Sequence, residues 1–498
     1  MSLAWALRPI DPLRDFASIV AMTKPSQTTS LLAFALSLAA SLPLMAGNQY
    51  SVVADATFTG ANSTRGSLAT ALGFVYGSSP LGGTNSMGTI FRFDPATNQY
   101  NVVHSFAGGD GGRDPSTGVI RTVNGLYGTT AGGTNGRGTL YRVNLLNNQV
   151  TTLHQFAAAT GSSPGGPLLE GSDGRIYGIV ESEAANNFGG IFRFDADGSN
   201  HTLLRSFTGT GGNVRGNGDR CKGIVEGTDG MLYGVTRQGG TNDTGVFFQM
   251  SKDGGSYSVF REWPTTGLRK PSNRILQASD GLFYGAASEG GAANKGGIYR
   301  ISSGGDYTEL HEFTDSNDGF LVRSELTEGT DGYLYGCAFL SNNNLGSLFR
   351  LAKDGSSFAV LHRFAGDPSD GSNPDTPLLE TESGVFHGFT TGGGANSAGV
   401  AFRLATTVEK PSLQVRGSLR PVFRGRTLRL RGTATDDLEV VRVEYATKKT
   451  FKPAKGTTAW NARILIKPSA KRATVQVRAL DNDAQVSSIA TVRARRAK

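Results

Sequence analysis

The hydrophobic positions of this chain come in short runs, separated by glycine, asparagine and aspartate. Short apolar runs bounded by turn residues are typical of β-strands. Four such runs follow one another at 167–170, 175–179, 190–194 and 202–207. The first two and the last two are separated by Asp-Gly, a dipeptide that favours the tight turn of a β-hairpin. This segment therefore predicts four antiparallel strands joined by turns.

The same pattern recurs along most of the chain, and each copy carries a Tyr-Gly pair or, once, a His-Gly pair. We call the first residue of each pair the anchor. The anchors are Tyr76, Tyr127, Tyr177, Tyr233, Tyr284, Tyr335 and His387. Successive anchors lie 51, 50, 56, 51, 51 and 52 residues apart, a period typical of propeller blades and other repeat arrays.

The last copy lacks its fourth strand, because no suitable apolar run follows Arg403. An unassigned run at 52–58 precedes the first anchor and ends in an aromatic residue at the right offset. If this strand completes the last blade, the ring closes and two exposed sheet edges disappear. The sequence thus predicts an all-β chain in which residues 47–405 form a seven-bladed β-propeller, with four strands per blade and closed by the N-terminal strand.

Composition changes at 408–411, and strands of alternating apolar and polar residues continue to the end. We expect a linker at 406–411 and a second β-domain at 412–498, whose strand pattern is typical of a sandwich. Three segments of this domain resemble bacterial immunoglobulin-like domains of extracellular proteins: Gly-Thr-Ala-Thr-Asp at 432–436, Thr-Ala-Trp at 458–460 and Val-Arg-Ala-Leu-Asp-Asn at 477–482. That resemblance implies a small immunoglobulin-like β-sandwich.

The positive charge is concentrated in the second domain. Residues 408–498 hold 21 Lys and Arg against 7 Asp and Glu, whereas the formal net charge of the whole chain is +8. The repeat region is therefore net negative. A strongly basic domain predicts an anionic partner, such as a surface polysaccharide, lipid headgroups or nucleic acid. The alternative is that the charge serves only solubility.

The N-terminus has the pattern of a secretory signal. Lys24 precedes a largely apolar stretch at 31–45, and Ala46 offers a small residue for cleavage. We therefore assign residues 1–46 to an N-terminal extension and signal peptide, with either Met1 or Met22 as the true start. A retained membrane anchor is the alternative, but the stretch is shorter than the ~20 apolar residues that a bilayer requires. The mature chain is predicted to be secreted or extracytoplasmic, without a transmembrane segment.

The repeat can be written as Asp-Gly-x-Leu-Tyr-Gly, Gly-Gly, Gly-Thr-x-Phe-Arg and Leu-His-x-Phe. In this form it resembles the GloVer tandem repeat of "choice-of-anchor" surface proteins over residues 52–404. The resemblance implies a signal peptide, a repeat array and a variable C-terminal sorting region, and it implies no enzymatic activity. The chain departs from that pattern by ending in a basic domain. The double glycines after the anchors are also similar to those of kelch blades, although the kelch tryptophan is absent.

One face of the predicted ring should carry the long loops, because the second-to-third loop and the link between blades emerge on the same side. Glycine, asparagine and aspartate in these loops offer groups that can bind sugars or peptides. The predicted ligand-binding residues are Asp110, Asp114, Asn135, Asn242, Asp318 and Asp370.

Calcium is the one cofactor that the loops suggest. Asp315, Asn317 and Asp318 supply oxygen ligands, although their spacing departs from the EF-hand pattern, and turn capping explains them equally well. The histidines that recur once per blade are expected to be packing residues, because equivalent positions in a ring do not converge on one ion.

The leading functional hypothesis is a secreted or cell-surface protein that binds extracellular glycan or protein without catalysis, with the basic domain contacting an anionic surface polymer. No common catalytic motif occurs in the sequence. The alternative is a carbohydrate-active hydrolase or lyase that uses Asp110, Asp114, Asp318 or Asp370 around the central channel. A third hypothesis is a structural envelope protein.

Overall fold

The computed structural model describes residues 49–56, 63–182, 187–209, 223–314 and 318–406, together with shorter segments of the C-terminal region. These shorter segments are 412–415, 422–423, 427–435, 440–446, 452–455, 459–465, 472–481 and 490–496. The signal peptide predicted within residues 1–46 lies outside the described residues. The described chain is all-β, and its helical content is limited to two single turns, Gly109–Gly111 and Ala158–Thr160.

The strands between residues 49 and 405 form antiparallel sheets of four or five strands, which we number 1 to 7 in order of their anchors. Strand order follows chain order, as in a meander, in sheets 1 to 6, whereas the edge strand of sheet 7 comes from the N-terminus. The strands are Arg65–Ala71, Phe74–Ser79, Thr89–Asp94 and Gln99–Ser105 in sheet 1; Val119–Thr122, Gly125–Thr130, Thr139–Val143 and Val150–Gln155 in sheet 2; Ser162–Pro164, Leu169–Glu170, Ile176–Ser182, Gly190–Phe194 and Thr202–Ser206 in sheet 3; Ile224–Glu226, Leu232–Thr236, Val246–Met250 and Tyr257–Glu262 in sheet 4; Arg269–Pro271, Leu276–Gln277, Phe283–Glu289, Gly297–Ile301 and Tyr307–Glu312 in sheet 5; Thr327–Glu328, Leu334–Ala338, Ser347–Leu351 and Phe358–Arg363 in sheet 6; and Gly371–Pro374, Leu379–Glu382, Val385–Gly393, Val400–Ala405 and Gln49–Asp55 in sheet 7.

The glycine after each anchor is needed for packing within the sheet. In sheet 4, Gly234 pairs with Phe248 on the third strand, and the phenyl ring covers the glycine. A Cβ atom at Gly234 would lie 2.5 Å from Phe248 Cζ, closer than van der Waals contact allows. The glycines that follow the other six anchors each lie under an aromatic ring of the next strand in the same way. The recurrence of Tyr-Gly therefore reflects close packing that only glycine permits.

The apolar core lies between successive sheets. Tyr177 and Ile191 of sheet 3 belong to the same buried cluster as Leu232 and Phe248 of sheet 4. Sheet 1 packs against sheet 7 in the same way, through a cluster that joins its phenylalanines to Phe389. The first strands of neighbouring sheets also contact one another. These are features of propeller-like blades.

The N-terminal strand belongs to the last sheet. Gln49–Asp55 pairs antiparallel with Val400–Ala405, from Gln49 opposite Ala405 to Asp55 opposite Val400. The strand begins three residues before the predicted run at 52–58, because Tyr50 is part of it. The Tyr50 ring stacks on His362 with a centroid distance of 3.5 Å and packs against Phe402. Residues 57–58 lie outside the described part of the chain.

The C-terminal region contains two sheets that share one apolar core. A three-stranded sheet comprises Ser412–Val415, Thr427–Thr435 and Ala459–Leu465, and a five-stranded sheet comprises Val422–Phe423, Ala490–Arg496, Arg472–Asp481, Val440–Ala446 and Lys452–Pro453. Leu428, Leu430 and Ile464 of the first sheet are buried against Val475 and Val492 of the second. The alternation of buried and exposed residues thus points every second side chain of these strands to the outside.

Nowhere in the described part of the chain is there a helix with the length and apolar composition needed to span a bilayer.

Candidate functional site

One position of the repeat varies in residue type and lines a cavity. It lies ten residues before each anchor, in the chain segment that precedes the strand of the anchor. The residues at this position are Gly66, Thr117, Pro167, Gly223, Arg274, Glu325 and Pro377. Six of them line one cavity of about 40 Å³, which we call the inner cavity, and Gly223 lies against the Arg274 side chain. The inner cavity is therefore built from six different sheets.

A chain of polar contacts crosses the inner cavity. Ser67 Oγ donates a hydrogen bond of 2.9 Å to Glu325 Oε1. The other carboxylate oxygen, Glu325 Oε2, lies 3.1 Å from Arg274 Nη2, and Arg274 Nη1 donates to the Leu168 carbonyl oxygen at 3.3 Å. These residues come from sheets 1, 6, 5 and 3. The network therefore connects four of the repeats.

Arginine side chains outnumber carboxylates around the inner cavity. Arg65 Nε lies 3.6 Å from Asp375 Oδ2, and Arg274 pairs with Glu325. Arg323 also lines the cavity, but no carboxylate in the described part of the chain pairs with it. Its guanidinium carbon lies 3.9 Å from the centre of the Phe339 ring, and its buried Nε has no hydrogen-bond partner among the described residues. The cavity lining thus carries one unbalanced positive charge.

A groove of about 280 Å³ meets the inner cavity at Arg65, which lines both. We call it the side groove. One wall is the loop between the second and third strands of sheet 1, with Leu81 and Met87, and the other is the link between sheets 1 and 2, with Arg113 and Asp114. Both segments belong to the loop types on which the sequence predicted ligand binding.

The inner cavity continues along the first strands into a further cavity of about 450 Å³. The two cavities share Ser67, Arg274, Glu325 and Pro377. The polar network described above therefore lies where the two cavities meet, and the second cavity is lined mainly by residues in or next to the first strands, such as Ile120 and Leu326.

Of the six predicted ligand-binding residues, all of which are described, Asp114 lines the side groove and none lines the inner cavity. Asp114 has a left-handed backbone with φ of 58°, and its carbonyl oxygen accepts a 2.9 Å hydrogen bond from Ala131 N. Asn135 and Asn242 are exposed in equivalent turns. Asp110 lies in the turn Gly109–Gly111, where its carboxylate accepts a hydrogen bond from Thr134.

Asp318 and Asp370 occupy equivalent positions after sheets 5 and 6, and each binds the histidine of the preceding strand. Asp318 Oδ2 lies 3.3 Å from His311 Nε2, and Asp370 Oδ2 lies 3.1 Å from His362 Nε2. Asp370 also accepts hydrogen bonds from Tyr50 Oη at 2.6 Å and from the backbone of Gly371 at 2.7 Å. Both carboxylates therefore hold their own loops together.

The ionisation of Asp370 follows from these contacts. Burial opposes ionisation, but the hydrogen bonds from His362, Tyr50 and Ala365 together hold the pKa of Asp370 below its ordinary value. The same arrangement raises the pKa of the Tyr50 hydroxyl, through burial first and the neighbouring Asp370 carboxylate second. This cluster thus pairs an ionised carboxylate with a neutral tyrosine. It helps to hold the N-terminal strand, which carries Tyr50, in sheet 7.

The calcium hypothesis concerned Asp315, Asn317 and Asp318. The first two lie outside the described residues, and Asp318 accepts a 3.0 Å hydrogen bond from Thr314 N. Among the residues that the structure describes, no three His, Cys, Asp or Glu side chains come together as a metal site would require.

Sequence reasoning did not single out the residues of the inner cavity. Repeat positions were read for what they share, whereas Arg274, Glu325 and their equivalents differ from one repeat to the next. The signal that could have found them is this variation at a fixed offset from the anchor.

These features define an all-β protein of tandem, propeller-like sheets with a cavity where the first strands meet. The chain belongs to the Gloeobacter/Verrucomicrobia repeat family, whose sequence model matches residues 41–219 and 220–420. The predicted GloVer resemblance is thereby confirmed. The match does not extend over the rest of the C-terminal region. A comparison with curated proteins gives no match.

Several solved structures are similar in fold at low sequence identity. The extracellular domain of a putative one component system from B. thetaiotaomicron is 15% identical with a TM-score of 0.44, over 88% of this chain and 57% of that one. A puromycin hydrolase mutant is 12% identical with a TM-score of 0.48, over 77% and 61%. A protein of unknown function from Dyadobacter fermentans is 12% identical with a TM-score of 0.38, over 72% and 99%. This chain thus spans little more than half of the first of these proteins.

Proposed function

We propose that this chain is an extracytoplasmic, non-catalytic binding protein that recognises an extracellular glycan or protein at the inner cavity and side groove. The observation that carries the proposal is the inner cavity, where residues from six sheets meet and a groove opens from it. Concave sites with a few convergent polar groups are the usual location of ligands. The signal-like N-terminal sequence supports export.

The architecture in this proposal is a closed, seven-bladed ring followed by an immunoglobulin-like sandwich. Pairing of Gln49–Asp55 with Val400–Ala405 and packing of sheet 1 against sheet 7 support closure. The shared core of the two C-terminal sheets supports the sandwich. A closed ring places the variable first-strand positions around one axis, which accounts for their meeting in one cavity.

A binding role is favoured over catalysis because the cavity carboxylates have cationic partners. Glu325 lies against Arg274, and Asp375 lies against Arg65. Each carboxylate is thereby held in an ion pair, whereas a general acid or base must be placed to contact the reacting group. Enzymatic activity remains the alternative, and release of products from extracellular polysaccharides would establish it.

The test is a screen of residues 47–498 on glycan and extracellular-protein arrays. Pro377→Trp places a large ring where the two cavities meet and is expected to abolish binding. Leu146→Trp, at a side chain that is 92% exposed, is the matched control and should bind normally. Absence of any ligand on both arrays, or equal binding by the two variants, would contradict the proposed site.

A second proposed function is that the C-terminal module binds an acidic polysaccharide of the surface. The exposed side of its three-stranded sheet carries Arg429 directly opposite Arg463, with Arg431 beside them. On the other sheet Arg472 lies opposite Arg495. Like charges directly opposite each other destabilise a sheet, so an anionic partner would relieve a cost that the fold otherwise carries.

Retention of the full chain on an immobilised acidic polysaccharide tests this second function. The double variant Arg429→Glu with Arg463→Glu should elute at clearly lower salt, because it reverses two charges of the face. Lys452→Glu with Lys455→Glu makes the same charge change elsewhere in the module and serves as control. An equal loss of retention in both double variants would mean that binding depends on net charge and not on this face.

A further inference from the structure

We propose that the ligand of the inner cavity and side groove is a glycan of uronic acids, with one sugar carboxylate bound by Arg323 and Arg65. The inference rests on the proposed binding function and names the chemical class of its ligand.

Charge is the first argument. Of the three arginines that line the inner cavity, two have a carboxylate nearby, and Arg323 has none in the described part of the chain. The Nε atom of Arg323 is buried and has no hydrogen-bond partner among the described residues. A buried donor without a partner has an energetic cost, because it has lost its hydrogen bonds to water. An anionic acceptor in the cavity would remove this cost and balance the charge.

The chemistry of arginine favours a carboxylate as the bound anion. A guanidinium presents parallel N–H groups that match the two oxygens of a carboxylate, and such pairs are stronger than neutral hydrogen bonds. The Phe339 ring, 3.9 Å from the guanidinium carbon, holds Arg323 in place before a ligand arrives. The arginine thus loses little side-chain freedom on binding.

The sizes of the two spaces indicate how the ligand is divided between them. The inner cavity, at about 40 Å³, offers much less room than the side groove and is the better fit for a small group such as a carboxylate. The side groove, at about 280 Å³, is near the lower end of the roughly 300–1,000 Å³ of small-molecule sites. We therefore place a sugar ring in the groove and its carboxylate in the cavity.

The distribution of cations favours a polymer of acidic sugars over a peptide terminus. Arg323 lines the cavity, Arg65 lines both spaces, and Arg113 lines the groove. A uronic-acid chain carries one carboxylate on every sugar at a regular spacing, whereas a peptide carries one at its C-terminus and others only where Asp or Glu occurs. Successive carboxylates of one glycan can therefore meet cations in both spaces.

The test is calorimetric titration of the full chain with trigalacturonic acid, its methyl ester and a neutral trisaccharide. The acid should bind, while esterification, which removes the charge and keeps the ring, should weaken binding at least about tenfold, as expected for loss of a charge-assisted pair. Equal affinity for acid and ester would overturn the inference. An acidic peptide that binds while the acid trisaccharide does not would also overturn it.

Variants locate the carboxylate. Arg323→Gln should weaken binding of the acid about tenfold or more and leave the ester unaffected, and Arg323→Lys should restore only part of the affinity because it lacks the planar pair of donors. Arg261→Gln is the matched control, because Arg261 makes the same stacking contact, 4.0 Å above Tyr307, outside the cavity. An equal loss of affinity in Arg323→Gln and Arg261→Gln would overturn the assignment of Arg323 as the carboxylate-binding residue. If neutral glycans bind as well as acidic ones, this inference fails and the proposed function stands; if no glycan or protein binds, both fail.

Discussion

At the scale of single residues, the repeat is explained by contacts that each unit makes internally. The anchor tyrosine donates a hydrogen bond to the aspartate of the preceding Asp-Gly turn, as in Tyr284 Oη to Asp280 Oδ2 at 2.7 Å. Three other anchors make the same bond to an aspartate four residues earlier, at 2.6 to 2.7 Å. Asp-Gly-x-Leu-Tyr-Gly is thus one structural unit, in which the turn, the anchor and the covered glycine depend on one another.

Replacing the covered glycine should destabilise its sheet. In Gly234→Ala the new methyl group would lie 2.5 Å from Phe248 Cζ, so the ring must move. We expect a loss of about 1–3 kcal/mol in the free energy of unfolding, as for other overpacked cores. Chemical denaturation measures it. Gly111→Ala, where no atom lies within 4 Å of the added Cβ, is the control and should unfold like the unmodified protein. Equal midpoints for the two variants would disprove the packing argument.

Two histidines, the half-buried His201 and the buried His387, should make stability depend on pH. Burial lowers the pKa of His201 to about 4, with a smaller contribution from nearby His154, and burial together with Arg403 lowers that of His387 to about 4. The unfolded value is about 6.5, so between these values the unfolded chain binds more protons and stability falls as the pH falls. The midpoint of thermal unfolding should drop from pH 6.5 to pH 4.5. In His201→Phe the new ring can pack on Phe194, and the dependence of the unfolding midpoint on pH should be weaker. An unchanged dependence would exclude His201 as a cause of the pH effect.

At the scale of strands and sheets, a carboxylate of one sheet fixes the turn of its neighbour. Glu328 of sheet 6 accepts hydrogen bonds from Ser279 N at 2.7 Å and Ser279 Oγ at 2.6 Å in the first turn of sheet 5. Glu226 with Ser172 and Glu380 with Thr330 repeat the arrangement. Sheets 3, 5 and 6 are therefore each positioned by the next sheet through a bond that does not exist within one repeat.

Removal of one such carboxylate should loosen two sheets. Glu328→Ala removes the acceptor of the Ser279 backbone amide and the carboxylate partner of the Lys353 ammonium, which among the described residues keeps only the Ser279 hydroxyl. We expect a loss of about 1–3 kcal/mol, because hydrogen bonds to charged groups are worth more than neutral ones. Urea denaturation and hydrogen exchange at residues 279–282 measure it. Glu382→Ala, at an exposed glutamate, should change stability by less than about 0.5 kcal/mol. A similar small effect of Glu328→Ala would mean that the contact does not couple the sheets.

The strands and turns could be predicted from sequence because their causes are local. Asp280 and Tyr284 are four residues apart, and the alternation of buried residues is visible in each run. Contacts between repeats leave no such trace, since Glu328 and Ser279 are 49 residues apart. The inner cavity could not be predicted for a further reason. Arg274 and Glu325 occupy a repeat position that has no common residue type, so a search for recurring residues does not select it.

At the scale of the whole molecule, the last sheet is assembled from both ends of the repeat region. Tyr50 bonds to Asp370, 320 residues away, and stacks on His362. Sheet 7 in turn packs on sheet 1, and Arg65 reaches Asp375 across the same boundary. The N-terminal strand thus influences the sheet that borders the inner cavity, and its loss should affect both stability and ligand binding.

Deletion of residues 49–56 tests this coupling. The deletion exposes the edge of Val400–Ala405, which can then pair with another chain. We expect a lower unfolding midpoint and self-association at high concentration, measured by thermal unfolding and sedimentation. A synthetic peptide of residues 49–56 should restore the monomer and raise the midpoint, whereas a scrambled peptide should do neither. In the closed ring proposed above every sheet packs on two others, so the intact protein should unfold in one transition over the repeat region, and the deletion should broaden it. An unchanged midpoint in the truncated protein would show that sheet 7 does not need its N-terminal strand.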